Sequence, residues 1–211
     1  MKKVLMLLVV SLIFVSVTLS QGLIAKGAKA GINFSNWSGS DAPSGWESKT
    51  GYTVGGFITY GVDNDFAVQP EVYYTLKGSQ TTRTLMGTSY TSTVYTSSVS
   101  IDYLEVAILA KYLLAAKGNT TPGLFAGPAI AFKRSGKYKI AGVSQTQNGE
   151  LQNVADTDFG IVLGADWSIA LSSGAVLIDV RYDLGLSNIA LTNPSTTVKN
   201  QVFSMLVGYS F

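Results

Sequence analysis

Four carboxylate residues are the side chains in this sequence with the best prospect of doing chemistry. Glu71 and Glu105 form one candidate pair for general acid–base catalysis, and Asp179 and Asp183 form a second. The 211-residue chain contains no His and no Cys. It therefore lacks the commonest general base, thiolate nucleophiles, disulfides and the commonest transition-metal ligand. An aspartyl or a Ser–Lys mechanism is the catalytic alternative that this composition leaves.

The same carboxylates share a face with basic residues, which favours ion pairing over catalysis. When the predicted strands are read with a period of two, the charged residues fall on the face opposite the large apolar residues. A charge removed from water needs a partner of opposite sign. We predict that Arg181 pairs with Glu105, and that Lys77 and Lys133 lie on the same face. No catalytic, cofactor-binding or metal-binding residue is predicted. The predicted internal charge network consists of Lys29, Glu71, Glu105, Lys111, Asp166, Asp179, Arg181 and Asp183.

The first twenty residues have the layout of a secretory signal peptide. Lys2 and Lys3 precede an uncharged run at 4–19, and small or polar residues follow from Ser20. We predict cleavage after Ser20 or within the next few residues, up to position 25, which leaves one domain over 21–211. The alternative is a membrane-anchoring helix, for which the run is slightly short.

Removal of 1–20 would change the charge balance of the chain. This segment contains two of the 15 basic residues and none of the 13 acidic ones, so 13 of each sign remain. Nucleic-acid binding depends on a concentrated positive patch, and the remaining sequence shows none. We therefore expect no nucleic-acid partner.

Alternating polar and apolar residues predict the elements that hold these charges. The connections between alternating segments are long and short in turn, which is typical of outer-membrane barrels. We predict an all-β fold: an eight-stranded antiparallel up-and-down transmembrane β-barrel with long extracellular loops and short periplasmic turns. The predicted strands cover 26–35, 50–60, 66–77, a stretch ending near 114, 122–133, 158–169, 176–184 and 201–211. The predicted loops cover 36–49, a Ser/Thr-rich hairpin at 79–100, 135–157 and 187–199.

The last predicted strand, 201–211, indicates how the barrel closes. It alternates large apolar and small residues and ends on an aromatic residue, as expected of a strand that pairs with the first and leaves no open edge. We assign barrel closure to Tyr209 and Phe211. Two aromatic girdles are expected at the membrane interfaces. The periplasmic girdle would contain Tyr60, Phe66, Tyr112, Trp167, Tyr209 and Phe211, and the outer girdle Trp37, Trp46 and Tyr52.

Two irregularities and one turn are predicted within the strands. Pro70 cannot donate a ladder hydrogen bond, so we expect an irregularity such as a bulge nearby. Tyr103 and Leu104 are adjacent large residues, which predicts a β-bulge or an inward aromatic side chain. The hairpin at 79–100 is expected to turn near Met86 and Gly87.

Six phrases of the sequence together resemble the PorT-like family of small outer-membrane β-barrels, which have an OmpA/OmpX-like eight-stranded form. The resemblance implies export and insertion by the outer-membrane assembly machinery, which would recognise the C-terminal aromatic strand with Tyr209 and Phe211. It implies little about activity, because the namesake is associated with secretion and gliding machinery while most relatives have no assigned role. The phrases are Gly27-Ala-Lys-Ala-Gly-Ile-Asn33, Gln69-Pro-Glu-Val-Tyr-Tyr74 with Lys77-Gly78, Tyr103-Leu-Glu-Val106 with Lys111-Tyr112, Gly127-Pro128, Arg181-Tyr-Asp-Leu-Gly-Leu-Ser-Asn-Ile189 and Val207-Gly-Tyr-Ser-Phe211.

Several functions are compatible with these predictions. The first is a structural or adhesion-type barrel, a monomer in the lipid bilayer whose loops meet an extracellular protein or glycan. The second is a small pore for ions or solutes, although the lumen of an eight-stranded barrel is filled by side chains. A membrane enzyme and a soluble lipocalin-like carrier are the remaining alternatives. No cofactor is expected.

Overall fold

The computed structural model describes residues 22–86, 92–142, 146–190 and 196–211. The predicted signal peptide at 1–20 and the predicted turn residue Gly87 lie outside these ranges. No helix in the described ranges is long and apolar enough to cross a membrane. The described strands are β1 Gly22–Ser38, β2 Glu47–Gly61, β3 Phe66–Met86, β4 Ser92–Leu113, β5 Thr120–Ala141, β6 Gln147–Glu150, β7 Thr157–Leu171, β8 Gly174–Gly185 and β9 Lys199–Ser210.

Eight of these strands form one closed antiparallel ring in the order β1, β2, β3, β4, β5, β7, β8 and β9. The ring closes where β9 pairs with β1, for example at Met205 opposite Ile32. The remaining strand, β6, lies outside the ring and pairs with the C-terminal end of β5. The predicted eight-stranded antiparallel barrel is therefore confirmed.

The connections are sorted by length to the two ends of the ring. The short connections 62–65, 114–119 and 172–173 lie at one end, together with Phe211. Most connections at the other end are longer. The exception joins β3 and β4, two strands that extend past their neighbours before they connect. Because outer-membrane barrels have short periplasmic turns, we call the first end the periplasmic end and the second the outer end.

The prediction of a polar loop over 135–157 is wrong in part, because 135–141 and 147–150 are strands. β5 continues to Ala141, and β6 pairs back along it with Asn148 opposite Lys139. Beyond the ring, 79–86, 92–101 and 136–141 join β6 in a four-stranded arrangement that we call the outer sheet. Strands that project into water have no lipid-facing side, so polar side chains are compatible with them.

The two predicted irregularities have different outcomes. Phe57 lies opposite Glu71 and Tyr60 lies opposite Val68, which is the same register on both sides of Pro70. The irregularity there is a gap in the β2–β3 ladder between Phe57 and Tyr60 and not a bulge, because a proline removes one donor without requiring an extra residue. At the second position, the pairing of β4 with β5 shifts between Asp102 and Tyr103. Tyr103 is also fully buried, so the bulge and the inward aromatic are both confirmed.

Side chains alternate between an exposed apolar surface and a buried lumen that contains the charged residues. On β9, Met205, Val207 and Tyr209 are exposed, whereas Leu206 and Ser210 are buried. The same pattern recurs around the ring, where most buried charged side chains point inward. A soluble ligand-binding barrel has the inverse arrangement, with an apolar interior and charges in water. The outer surface is that of a barrel surrounded by lipid, and the soluble-carrier alternative is wrong.

Candidate functional site: a closed lumen

The middle of the lumen contains two bases and two acids from three strands. Lys29 Nζ lies 2.7 Å from Asp179 Oδ2 and 3.3 Å from Glu71 Oε1. Arg181 Nη1 lies 2.6 Å from Glu71 Oε2, and its Nη2 lies 2.5 Å from Asp179 Oδ2. Each charge therefore has two partners of opposite sign, and the formal charges of this central group cancel.

Aromatic rings enclose the guanidinium of the central group. Arg181 Cζ lies 5.2 Å from the ring centre of Tyr73 and 5.1 Å from that of Phe125. Glycines on neighbouring strands leave room for these rings: a Cβ on Gly55 would lie 2.6 Å from the Tyr73 ring, and one on Gly164 would lie 2.5 Å from the Phe125 ring. Cation–π contacts with both rings add to the ion pairs that hold Arg181 across the lumen.

Two further groups of charges lie on either side of the central group. Toward the outer end, Lys77 Nζ lies 2.6 Å from Glu105 Oε2 and 3.3 Å from Asp183 Oδ2. Toward the periplasmic end, Lys111 Nζ contacts Asp166 Oδ2. The eight residues of the internal charge network are thus divided among three separate groups, and all eight are buried.

Some contacts differ from those expected from the sequence. Arg181 contacts the central acids, while Glu105 contacts Lys77, so the predicted Arg181–Glu105 pair is wrong. Asp158 was not assigned to the network, yet it is buried and accepts a 2.8 Å hydrogen bond from Asn200 Nδ2. The inward position of Asp158 follows from strand alternation, but the choice of partner depends on register, which alternation does not reveal.

An apolar layer, which we call the outer cap, closes the lumen above the charges. The rings of Trp37 and Trp46 stack with their centres 4.8 Å apart, and both pack against this layer. Their predicted place in the outer girdle is therefore wrong. Trp37 shares the inward side of β1 with the buried residues Lys29 and Asn33. Other residues of the outer cap are Val99, Ile101, Tyr103, Ala131, Ile189, Val198, Leu151, Val154 and Ala190.

The geometry of the lumen favours a structural role for its carboxylates. The acids of the three groups each contact a Lys or Arg within the closed lumen, as expected of ion pairs that hold the strands together. Within the described ranges, no group of three or more Asp and Glu residues is placed to hold a metal ion. Neither candidate catalytic pair is assembled, because Glu71 and Asp179 belong to the central group while Glu105 and Asp183 share Lys77.

Two outer loops are joined by one carboxylate at the surface. Asp41 Oδ2 accepts hydrogen bonds from the Ser40 hydroxyl at 2.7 Å and from the Thr197 backbone N–H at 2.8 Å. The Asp41 N–H donates in turn to the Thr197 carbonyl at 3.3 Å. These hydrogen bonds, from Ser40 first and Thr197 second, lower the pKa of Asp41 below its ordinary value.

The closed ring, the apolar exterior and the charged interior define a small transmembrane β-barrel protein. The family model for the outer membrane protein beta-barrel domain matches residues 19–191. The chain belongs to this family, and its place is the outer membrane of bacteria. No curated protein matches the chain significantly by sequence.

Solved structures of small outer-membrane barrels also match the chain. Ail of Yersinia pestis, in complex with the heparin analogue sucrose octasulfate, matches with 14% identity over 91% of this chain and 100% of its own, at a TM-score of 0.44. Neisserial surface protein A matches with 13% identity over 90% and 100% of the two chains, at a TM-score of 0.46. OprG of Pseudomonas aeruginosa matches with 12% identity over 92% and 97%, at a TM-score of 0.45.

Proposed function

We propose that the protein is a non-conducting, non-catalytic outer-membrane barrel that presents its outer sheet and outer loops to a protein or glycan outside the cell. The observation that carries this proposal is the contrast between the two parts of the molecule. Ion pairs and the outer cap fill the lumen, while the longest strands project beyond the lipid-facing surface. Binding by the projecting part requires no passage through the barrel.

The outer sheet has features that suit partner binding. Within the described ranges, the strand β6 pairs only with β5, so its second edge has free backbone donors and acceptors. An exposed edge of this kind can add a strand from another chain. The β3–β4 hairpin supplies further exposed groups, including Thr82 and Thr84. Loops and projecting hairpins on a rigid scaffold are a common place for binding residues.

Site-specific crosslinking in intact cells tests the partner. The chain has no native cysteine, so Thr82→Cys and Thr84→Cys each place one reactive group on the exposed β3–β4 hairpin of the outer sheet. Lys117→Cys, in a turn at the periplasmic end, is the matched control. We expect the outer positions, but not position 117, to capture the same protein or glycan. Recovery of lipid alone, or of nothing, from both outer positions would contradict the proposal.

The remaining features of the proposal concern export and assembly. We propose that 1–20 is a signal peptide removed between positions 20 and 25, and that the chain is a monomer of the PorT-like subgroup. The assembly machinery would recognise the final strand through Tyr209 and Phe211, which are exposed on its lipid-facing side. Mass determination of the protein isolated from outer membranes tests the cleavage site. A mass that includes residues 1–20 would contradict it.

A further inference from the structure

A groove of about 800 Å³ opens on the outward surface of the outer sheet. Lys49, Lys137 and Lys139 contribute three basic groups to its lining, and Asp102 and Glu150 contribute two acidic ones. The formal charge of the groove is therefore positive. This groove is separate from the lumen, because its β4 residues Ser98, Ser100 and Asp102 alternate with Val99 and Ile101, which are buried in the outer cap.

Strand pairing places the groove directly beyond the lipid-facing surface. Tyr74, Leu104 and Phe132 form one outward row across β3, β4 and β5, with 36%, 38% and 40% of their surfaces exposed. Ser100 lies opposite Lys137 and is four residues closer than Leu104 to the outer end of β4. At about 3.3 Å per residue and a tilt of about 40°, Ser100 lies about 10 Å above Leu104 along the membrane normal. The head-group layer reaches about 5–8 Å beyond the hydrocarbon, so the groove lies at the outer edge of this layer.

The groove lysines differ from the lumenal lysines in having no ion-pair partner. Each lysine of the three lumenal groups contacts a carboxylate. Among the described residues, no acidic oxygen lies within 4.0 Å of the Nζ of Lys49, Lys137 or Lys139. Asp102 Oδ2 instead accepts a 2.5 Å hydrogen bond from Ser135 Oγ. The charges of the groove lysines are therefore available to an external anion.

We propose that this groove binds the phosphate group of a phosphorylated lipid in the outer leaflet. The lysines supply charge complementarity, and hydroxyl groups of Ser98 and Ser100 in the same lining can donate hydrogen bonds to phosphate oxygens. Continuity of the groove with the lipid-facing row selects a lipid over a soluble anion, since the acyl chains would extend down that row. The site does not depend on the partner proposed above.

Lipid binding to the full-length protein in detergent, measured by native mass spectrometry, tests the site. The probes are bisphosphorylated lipid A, its dephosphorylated form and inorganic phosphate. We expect the bisphosphorylated form to bind, and the double variant Lys137→Gln/Lys139→Gln to bind it about 30-fold more weakly, since each basic group near a membrane surface contributes a factor of about five. Lys117→Gln, at the periplasmic end, is the matched control and should bind as the wild type does.

A second variant tests the same site in the opposite direction. Glu150→Gln removes a negative charge from the groove and is expected to tighten lipid A binding severalfold, so loss of folding cannot produce the expected result. Equal binding of the dephosphorylated lipid would overturn the proposal. So would inorganic phosphate that binds as tightly as the lipid, an unchanged affinity in both groove variants, or an equal loss in Lys117→Gln.

Discussion

At the scale of single residues, the central group shows why a buried charge requires all of its partners. Lys29 and Arg181 each contact both Glu71 and Asp179, so removal of any one side chain leaves an excess charge in a closed lumen. An unpaired buried charge costs much more than the loss of one hydrogen bond. The aromatic rings of Tyr73 and Phe125 lie beside Arg181 and offer no carboxylate to replace a lost partner.

The first prediction is that Arg181 and Glu71 are energetically coupled. Arg181→Met alone should lower the free energy of unfolding by about 3–5 kcal/mol. Combining it with Glu71→Gln should show a coupling energy of about 1–3 kcal/mol, because the second change removes the charge that the first leaves unpaired. Denaturant unfolding of the four proteins in lipid vesicles measures this cycle. Arg181→Met with Asp41→Asn is the control pair and should be additive, because Asp41 lies in an outer loop and shares no partner with Arg181. Additivity of Arg181 and Glu71 would refute the coupling.

The second prediction concerns the surface carboxylate of Asp41. The pKa of Asp41 is lowered in the folded protein. At a pH above its ordinary pKa of 3.8, the ionised carboxylate therefore stabilises the contact with Thr197. This contribution is lost as the pH falls through the lowered pKa. The amide resonance of Thr197 should therefore titrate with a midpoint below 3.8, and the titration should disappear in Asp41→Asn. A midpoint at or above 3.8 would contradict the assignment.

At the scale of strands, the sequence predicted the inward and outward positions best where one side of a strand faces lipid. There, large apolar residues recur at every second position, as on β9, and the inward or outward position of each residue can be predicted. Beyond the lipid this constraint disappears, which is why the strand at 136–141 was predicted to be a loop. A weaker signal was present, since Tyr138 and Ile140 alternate with Lys137 and Lys139.

The aromatic residues show a second limit of the sequence pattern. Trp37 shares the side of β1 occupied by Lys29 and Asn33, so alternation alone would have placed it inside the barrel. The general preference of tryptophan for membrane interfaces suggested the opposite side. The outer cap could not be predicted as a unit, because its residues come from strands and loops far apart in the chain, from Trp37 to Val198.

The third prediction tests the outer cap. Trp37→Ala should remove the stack with Trp46 and destabilise the outer end by about 1–3 kcal/mol, since the side chain is half-buried. We expect faster proteolysis within 146–156, which contributes Leu151 and Val154 to the cap. Trp167→Ala removes a lipid-facing tryptophan at the other end and is the control. Equal protease sensitivity in Trp37→Ala and the wild type would contradict the role of the stack.

At the scale of the whole molecule, two barriers follow one another along the barrel axis. The three charged groups span the lumen from the periplasmic end toward the outer end, and the outer cap covers them with apolar side chains. We expect both to exclude hydrated ions, because the first is filled by paired side chains and the second is mostly apolar and offers few polar groups to replace water. Opening either barrier alone leaves the other in place.

The fourth prediction follows from these two barriers. The wild-type protein in planar bilayers should show no stepwise conductance. Glu71→Ala/Arg181→Ala, which removes one oppositely charged pair and therefore adds no net charge, should also stay closed because the outer cap remains. Adding Trp37→Ala to this double variant weakens both barriers at once, and we expect ion conductance to appear. Steady conductance of the wild type would instead support the pore alternative. Conductance of the double variant alone would show that the central group, and not the outer cap, limits ion passage.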